Sequence, residues 1–421
     1  MVETLRKRFL NPFFIAAVLF AIPVYGGLVK VADRHPFKSL VLTESIVEVK
    51  GKIVSNPSQN SSGRFYSIVL SVDHVRASWT GCEMSSEANG NVTCLVPSDI
   101  VESLYPGKLF SSFGKKSIFE KGEEVCLYGR FNGVFFYATD ADYIESKKCW
   151  SNMIVHARSL CRLQFKRLMY SWNNAGGFIL ALLSGSREYT EKRLTDNFRR
   201  AGLSHILALS GMHLSFFAGL VGGTGKRLFG KKSSFFLKLL GILVFVWFAG
   251  LSPSLLRALL CSVIMLLCSS VFSMDVDYFL VLCSVFLIHC VISPSDIFSA
   301  AFILSYGALG GILLMGNFFY ALLCRGIPNR ISSSLSASLG AQCATAPVSI
   351  GMFGALMPCG IVASVVVSPM VSIFLSAALF SIIICLVLPF LAPVFGCIMN
   401  VLYKIIAMTV QVFAFVPPLV L

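Results

Sequence analysis

The pattern of apolar and polar positions changes character three times along the chain. Residues 9–29, FLNPFFIAAVLFAIPVYGGLV, carry no charge and match the ~20 apolar residues that a helix needs to cross hydrocarbon. Between residues 40 and 147 the pattern becomes short runs: IVEVKGKIV, RFYSIVLSVD, NVTCLVP, EEVCLYGRF and VFFYATDADY. They are rich in β-branched and aromatic residues, alternate in part, and are separated by Gly, Asn, Ser and Pro, which reads as strands. Five or six short strands in about 110 residues predict a small barrel of the OB kind. Helical periodicity returns at 152–172, NMIVHARSLCRLQFKRLMYSW. There Arg158, Arg162 and Lys166 recur every four positions with Arg167 adjacent, so they form one basic stripe on an amphipathic helix. From residue 203 onward long apolar stretches follow with few breaks. They predict spans near 203–222, 234–250, 255–273, 278–293, 297–323, 335–355, 361–391 and 395–420.

The expected architecture is an α-helical polytopic membrane protein with four parts. A transmembrane anchor occupies 1–32, an extracytoplasmic all-β OB-like domain 40–147, the amphipathic basic helix 152–172, and a polytopic domain 175–421. Composition agrees: of 421 residues 56% are hydrophobic and 13% charged, with a mean hydropathy of +0.76. So few charges cannot coat a globule in water, which excludes a disordered chain, a collagen-like chain and a single soluble domain.

The formal charge of +14 is unevenly placed. The first 150 residues are nearly balanced, and beyond Lys238 the only Lys or Arg are Arg257, Arg325, Arg330 and Lys404. Arg6, Lys7 and Arg8 precede the first apolar run, and the positive-inside rule then puts the N-terminus in the cytoplasm and the β domain outside. That run is long for a cleaved signal peptide and lacks a clean small-x-small site, so a retained anchor is expected. Lys226, Arg227, Lys231, Lys232 and Lys238 read as a cytoplasmic loop obeying the same rule.

Of the 14 cysteines, Cys82 and Cys94 flank a polar loop in the outer domain and are candidates for a disulfide, a pairing that sequence leaves open. No CxxC pair occurs, which argues against a zinc ribbon. Most of the others lie in apolar runs and read as small hydrophobes.

Several residues carry candidate chemistry. The stripe of Arg158, Arg162, Lys166 and Arg167 fits either an interfacial helix on anionic lipid or a basic lip receiving a polyanion. A second basic segment holds Arg187, Lys192, Arg193, Arg199 and Arg200. It leads into an apolar span carrying His205, Ser210 and His213. Ser210 and His213 are three apart and can touch on a helix. A Ser–His nucleophile or a two-histidine metal site would need an orienting carboxylate or further ligands from elsewhere. Arg257, in LSPSLLRALL, is costly facing lipid and is expected to face a cavity or a polar partner.

Gly185–Ser186–Arg187, Phe198 and GLSHILALSGMHL (202–214) resemble the core signature of the ComEC-type competence proteins. Collinear elements follow: PSLLRA (253–258), Ser293–Pro294 with FILSYGALGGI (302–312), Gln342 and Pro347. The resemblance implies a channel that carries single-stranded DNA across the cytoplasmic membrane during natural transformation. The outer barrel would receive DNA. Arg158, Arg162, Lys166, Arg167, Arg187, Arg199, Arg200, His205, Ser210, His213, Arg257 and Gln342 are the candidates for its path. The partners implied are single-stranded DNA, a cytoplasmic helicase-like motor, an outer DNA receptor and the lipid bilayer.

No GxxxxGK[ST] sequence is present, so energy is expected from the motor, and neither a cofactor nor a catalytic residue is expected. Ser186 departs from the acidic residue usual in the family, and Ser364 from a common Asn. No histidine follows His289, so degradation of the other strand is expected from a separate nuclease. Two competing classes remain: a secondary transporter of a small anionic metabolite, and an intramembrane hydrolase using Ser210 and His213.

Overall fold

In the computed structural model, residues 11–26, 37–60, 62–79, 82–106, 116–144, 149–188, 190–209, 211–270, 277–417 and 419–420 are described. The chain enters through helix α1, Pro12–Tyr25, which Asn11 starts by accepting the Phe13 N–H at 3.0 Å. Its 14 residues rise about 21 Å, less than the ~30 Å of a hydrocarbon core. Arg6, Lys7 and Arg8 lie outside the described residues.

Eight strands follow: β1 Lys38–Ser39, β2 Ile46–Ile53, β3 Ser58–Gln59, β4 Phe65–Trp79, β5 Cys82–Asn89, β6 Asn91–Pro97, β7 Glu124–Asn132 and β8 Phe135–Tyr143. Five of them close a ring. β2 pairs with β4, β4 with β6, β6 with β8 in parallel, β8 with β7, and β7 back with β2. Closure leaves one apolar interior, filled by Ile46, Val49, Tyr66, Ile68, Leu70, Leu127 and Phe136. Gly51 and Gly129 sit at register shifts of the β2–β4 and β7–β8 pairs. A Cβ at either would run into the partner strand's backbone, at Ser71 and Tyr137, so glycine is what lets the strands bend there. A short helix α2, Ser98–Glu102, follows β6.

The Cys82–Cys94 pairing is not formed. Both residues lie on neighbours of β4, but in backbone register Cys94 pairs with Ile68 and Cys82 with Trp79, at separate stretches of that long strand. A disulfide needs Cα atoms within about 7 Å. Cys94 is a free thiol buried in the barrel.

Helix α3, Trp150–Ser171, joins the two halves of the molecule. Its Leu163 belongs to the barrel core, while Leu168, Met169 and Trp172 belong to the core of the helical part. That part contains α4 Asn173–Ser184, α5 Lys192–Arg200, α6 Ser204–Leu207, α7 Gly211–Ala249, α8 Pro253–Ser270, α9 Tyr278–Ile292, α10 Ala300–Leu323, α11 Asn329–Phe353, β9 Ala355–Leu356, α12 Cys359–Val387, α13 Ala392–Ala414 and β10 Leu419–Val420. Helix α4 is its axis, with every residue from Ala175 to Ser184 buried. Helix α1 lies along α9, Phe14 against Phe279 and Tyr25 against Ile297.

Helical conformation runs unbroken through α7, yet α7 is not one rod. Ser234 Oγ donates to the Gly222 carbonyl at 3.0 Å, and the rings of Phe217 and Phe245 are 5.3 Å apart. The chain therefore doubles back near residues 223–233 into two antiparallel arms, matching the second half of the expected 203–222 span and the 234–250 span. Among the described residues, three segments are long and apolar enough to cross a membrane: Ala300–Leu323, Cys359–Val387 and Pro389–Ala414. Pro12–Tyr25, Ser234–Ala249, Pro253–Cys268 and Tyr278–Ile292 are apolar but shorter. Helix α11 is long but diluted by hydroxyls, with Ser334, Ser338, Gln342, Thr345 and Ser349 forming one stripe.

Candidate functional site

The apolar stretch expected as a continuous span from 203 is broken. Gly202 ends α5 with φ +71°, α6 makes barely one turn, and Ala208 is extended before α7 starts at Gly211. Backbone freed by such a break inside a bundle must find partners. Ser254 Oγ supplies one, donating to the Leu209 carbonyl at 2.6 Å. Gly202 lies against the other side, where a Cβ would stand 2.9 Å from Met357 Cβ and 3.1 Å from Gly360 Cα. Gln342 Nε2 donates to the Met357 carbonyl at 3.4 Å. At the far end of the break, a Cβ on Gly211 would be 3.7 Å from Arg257 Nη2.

Arg257 in turn donates from Nη1 to the Ser305 carbonyl at 2.6 Å, and its guanidinium carbon stands 5.9 Å from the Tyr306 ring centre. The Tyr306 hydroxyl is 3.1 Å from His289 Nδ1, whose Nε2 is 3.4 Å from Asp296. Arg257 thus has the polar partner expected of it, but that partner is a neutral carbonyl. Its Nε is buried without a hydrogen bond, and among the described residues no carboxylate pairs with it. The result is an uncompensated cation at the junction of the broken helix, α8 and α10.

The structure distributes the other sequence candidates differently. His205 and Ser204 are exposed, beside buried Ile206 and Leu207. His213 is buried, 1% exposed. Ser210 lies outside the described residues. Among the described residues, no three His, Cys, Asp or Glu cluster as a metal would require. Arg187, Arg199 and Arg200 are exposed, with Arg199 3.7 Å from Asp196.

The basic stripe of α3 is neither a lipid-facing surface nor an open lip. Arg162, Lys166 and Arg167 are buried, each 5% exposed or less, and are matched by groups distant in sequence. Glu120, from the segment before β7, receives Arg162 Nε at 2.7 Å and Lys166 Nζ at 2.6 Å. Lys166 also reaches Glu188 at 2.8 Å, and Glu188 accepts from Ser186 Oγ at 2.6 Å and Tyr105 at 3.1 Å. Arg162 Nη1 donates to the carbonyls of Phe248 and Ala249, and Arg167 to that of Leu104.

Burial alone would raise the Glu120 pKa, but Arg162 and Lys166 outweigh it and hold the carboxyl below its ordinary range. Burial likewise works to lower Lys166, and Glu120 with Glu188 outweighs it and raises the ammonium. Both stay charged, and the cluster bolts the barrel to the bundle. Arg158, half-buried beside Gly250, has its Nε and Nη2 unsatisfied. Sequence reasoning missed both carboxylates. The signal for one was present: Glu188 stands two residues beyond Ser186, and Ser186 hydrogen-bonds to it.

The elements converging on Arg257 lie within a stretch that matches a known family; of the bolt, Ser186, Glu188, Phe248 and Ala249 do, while Glu120, Arg162 and Lys166 precede it. The family described as Competence protein matches residues 182–420. The chain belongs to the competence protein family. Over 144 residues it is 28% identical to the ComE operon protein 3 of Bacillus subtilis (strain 168), covering 34% of this chain and 18% of that relative. The chain therefore spans less than a fifth of the length of the curated relative it matches. No solved structure matches it. Competence membership accounts for the collinear signature, and the family element it matches is not a catalytic one.

Proposed function

We propose that this chain is the conduit for single-stranded DNA across the cytoplasmic membrane in natural transformation. The observation that carries it is the uncompensated Arg257 beside the broken helix at 202–211. A strand of phosphates needs a hydrated, weakly cationic constriction, strong enough to admit it and weak enough to release it. An arginine held by a carbonyl keeps its charge for a passing anion, which an ion-paired arginine does not. The hydroxyl stripe on α11 packs along α10, Thr345 against Gly307 two residues beyond the Ser305 that holds Arg257, and offers neutral hydrogen-bonding groups.

The placement of charge supports the orientation. Arg162 clamps the end of α7 at Phe248 and Ala249, so the basic turn at 223–233 lies at the opposite end from α3 and the barrel. Helices α9 and α10 run antiparallel, with His289 against Phe302 and Leu282 against Gly310. Arg257 ties the start of α8 to the start of α10, which sends Arg325 and Arg330 to the same far end. By the positive-inside rule that end is cytoplasmic and the barrel is outside. We read the barrel as OB-like, since its ring runs first, second, third, fifth, fourth and back to the first, with the third and fifth strands parallel. An outer DNA receptor would deliver to it, a cytoplasmic motor would pull, and a separate nuclease would remove the other strand.

The test is transformation frequency in a deletion strain carrying each variant, with membrane insertion checked by fractionation. Arg257→Ala should abolish uptake while leaving insertion intact, and Arg257→Lys should retain part of it. Wild-type frequency with Arg257→Ala would overturn the proposal.

A further inference from the structure

Helix α5 has one face that neither the bolt nor the Arg257 junction uses. Leu194 and Phe198 turn inward and are buried, Phe198 against Phe178 at 5.8 Å. On the opposite side Arg193, Asn197 and Arg200 fall within one stripe, since positions three, four and seven apart share a face. That stripe does not lie flat on water. Together with Asp196, and with Gln411 and Phe415 at the end of α13, it encloses an open groove of about 490 Å³, within the size range of small-molecule sites. Tyr403 ties the two walls together by donating to Glu191 at 3.0 Å. Asp196 is turned to Arg199, and among the described residues no carboxylate pairs with Arg193 or Arg200. Phe415 at the rim is 78% exposed.

We propose that this groove is a binding site for one nucleotide unit of a single-stranded nucleic acid. Arg193 and Arg200 take the phosphates flanking it, Asn197 and Gln411 reach the base edge, and Phe415 stacks on the base. The inference rests on the reading of the chain as a DNA conduit and adds to it a place where the strand is first held. Two free guanidiniums two helical turns apart, with an aromatic ring beside them, make the combination that binds single strands without sequence preference. A lipid headgroup would satisfy the arginines but leave the two amides and the exposed ring without a role. The position fits: α5 begins four residues after Glu188, which is tied to Lys166 and Tyr105 at the barrel joint.

The experiment uses the full chain in nanodiscs of neutral phosphatidylcholine and a fluorescein-labelled oligothymidylate, with affinity measured across a salt series. Arg193→Gln/Arg200→Gln should flatten the logarithmic salt slope by roughly 1.4, the loss of two phosphate contacts on a single strand. Phe415→Ala should weaken binding roughly tenfold with the slope unchanged. All three side chains are on the surface, so the variants are expected to fold, and thermal unfolding checks this. Wild-type binding with both variants unchanged overturns the groove and leaves the conduit reading standing. If Arg193→Gln/Arg200→Gln alters retention of phosphatidylglycerol in anionic nanodiscs but not oligothymidylate binding, the site is a headgroup site and the proposal is overturned. Absence of any oligothymidylate binding by the wild type overturns both readings together.

Discussion

Lys166→Met is the sharpest probe of how the barrel is held to the bundle. Among the described residues its ammonium is the only cation bridging Glu120 and Glu188, at 2.6 and 2.8 Å. After substitution Glu120 keeps Arg162 at 2.7 Å, but Glu188, 2% exposed, is left with hydroxyl donors alone. Removing one partner of a buried ion pair costs about 3–5 kcal/mol, because the remaining charge has neither water nor a counterion. Each ~1.4 kcal/mol is tenfold in an equilibrium, so the fraction with the barrel undocked should rise by at least a hundredfold. Limited proteolysis of the purified full chain between the barrel and α4 reads that fraction, and thermal unfolding in detergent gives an independent measure. The double variant Lys166→Met/Glu188→Gln removes the orphaned charge and should recover much of the loss. A double variant less stable than Lys166→Met, or a Lys166→Met protein as resistant as the wild type, would refute the view that charge pairing holds this joint.

The same cluster fixes a pH profile. Glu120 is held below its ordinary 4.5, so its contribution is present above that value and is lost as pH falls through the lower folded value. Lys166 is raised above 10.5, so its contribution is complete below that value and is lost as pH rises beyond it. Docking measured by proteolysis should therefore be flat from about pH 5 to pH 10, and a steep change between pH 6 and 8 would contradict the assignment. Gly202→Ala should destabilise the bundle by about 2 kcal/mol or more, from its positive φ and the approach of Met357 and Gly360. An unaltered melting temperature would mean that the break at 202–211 is not packed this way.

The barrel strands with an inward apolar side were legible because a period of two survives in the sequence. β5 was not: CEMSSEAN is polar on both faces and is a strand because it continues the hairpin from β4. Six of the eight later spans coincide with single helices, since their apolar runs are long. The break at 203–211 was not legible, because its local marks are only the flanking Gly202 and Gly211, while the groups that hold it, Ser254, Met357 and Gly360, come from distant parts of the chain. The α3 stripe was readable as a helix. Which face was buried was not, since Glu120 lies 42 residues before Arg162 and Glu188 22 residues after Lys166. Periodicity reports that a side is different; only the partner decides whether it meets water. Arg257 was the reverse case, because a single guanidinium in an apolar run demands an interior partner whatever the fold.

Leu163 closes the interior of the β domain, and Leu160 packs beside it, although both belong to the rod that follows. A fragment ended at residue 147 would be missing its lid and would strand Glu120 without either counterion. During synthesis the β domain therefore cannot complete its core until Leu163 has emerged, in the same helix whose Leu168 and Met169 pack into the bundle. A piece that keeps both this lid and the two counterions of Glu120 runs at least through Lys166.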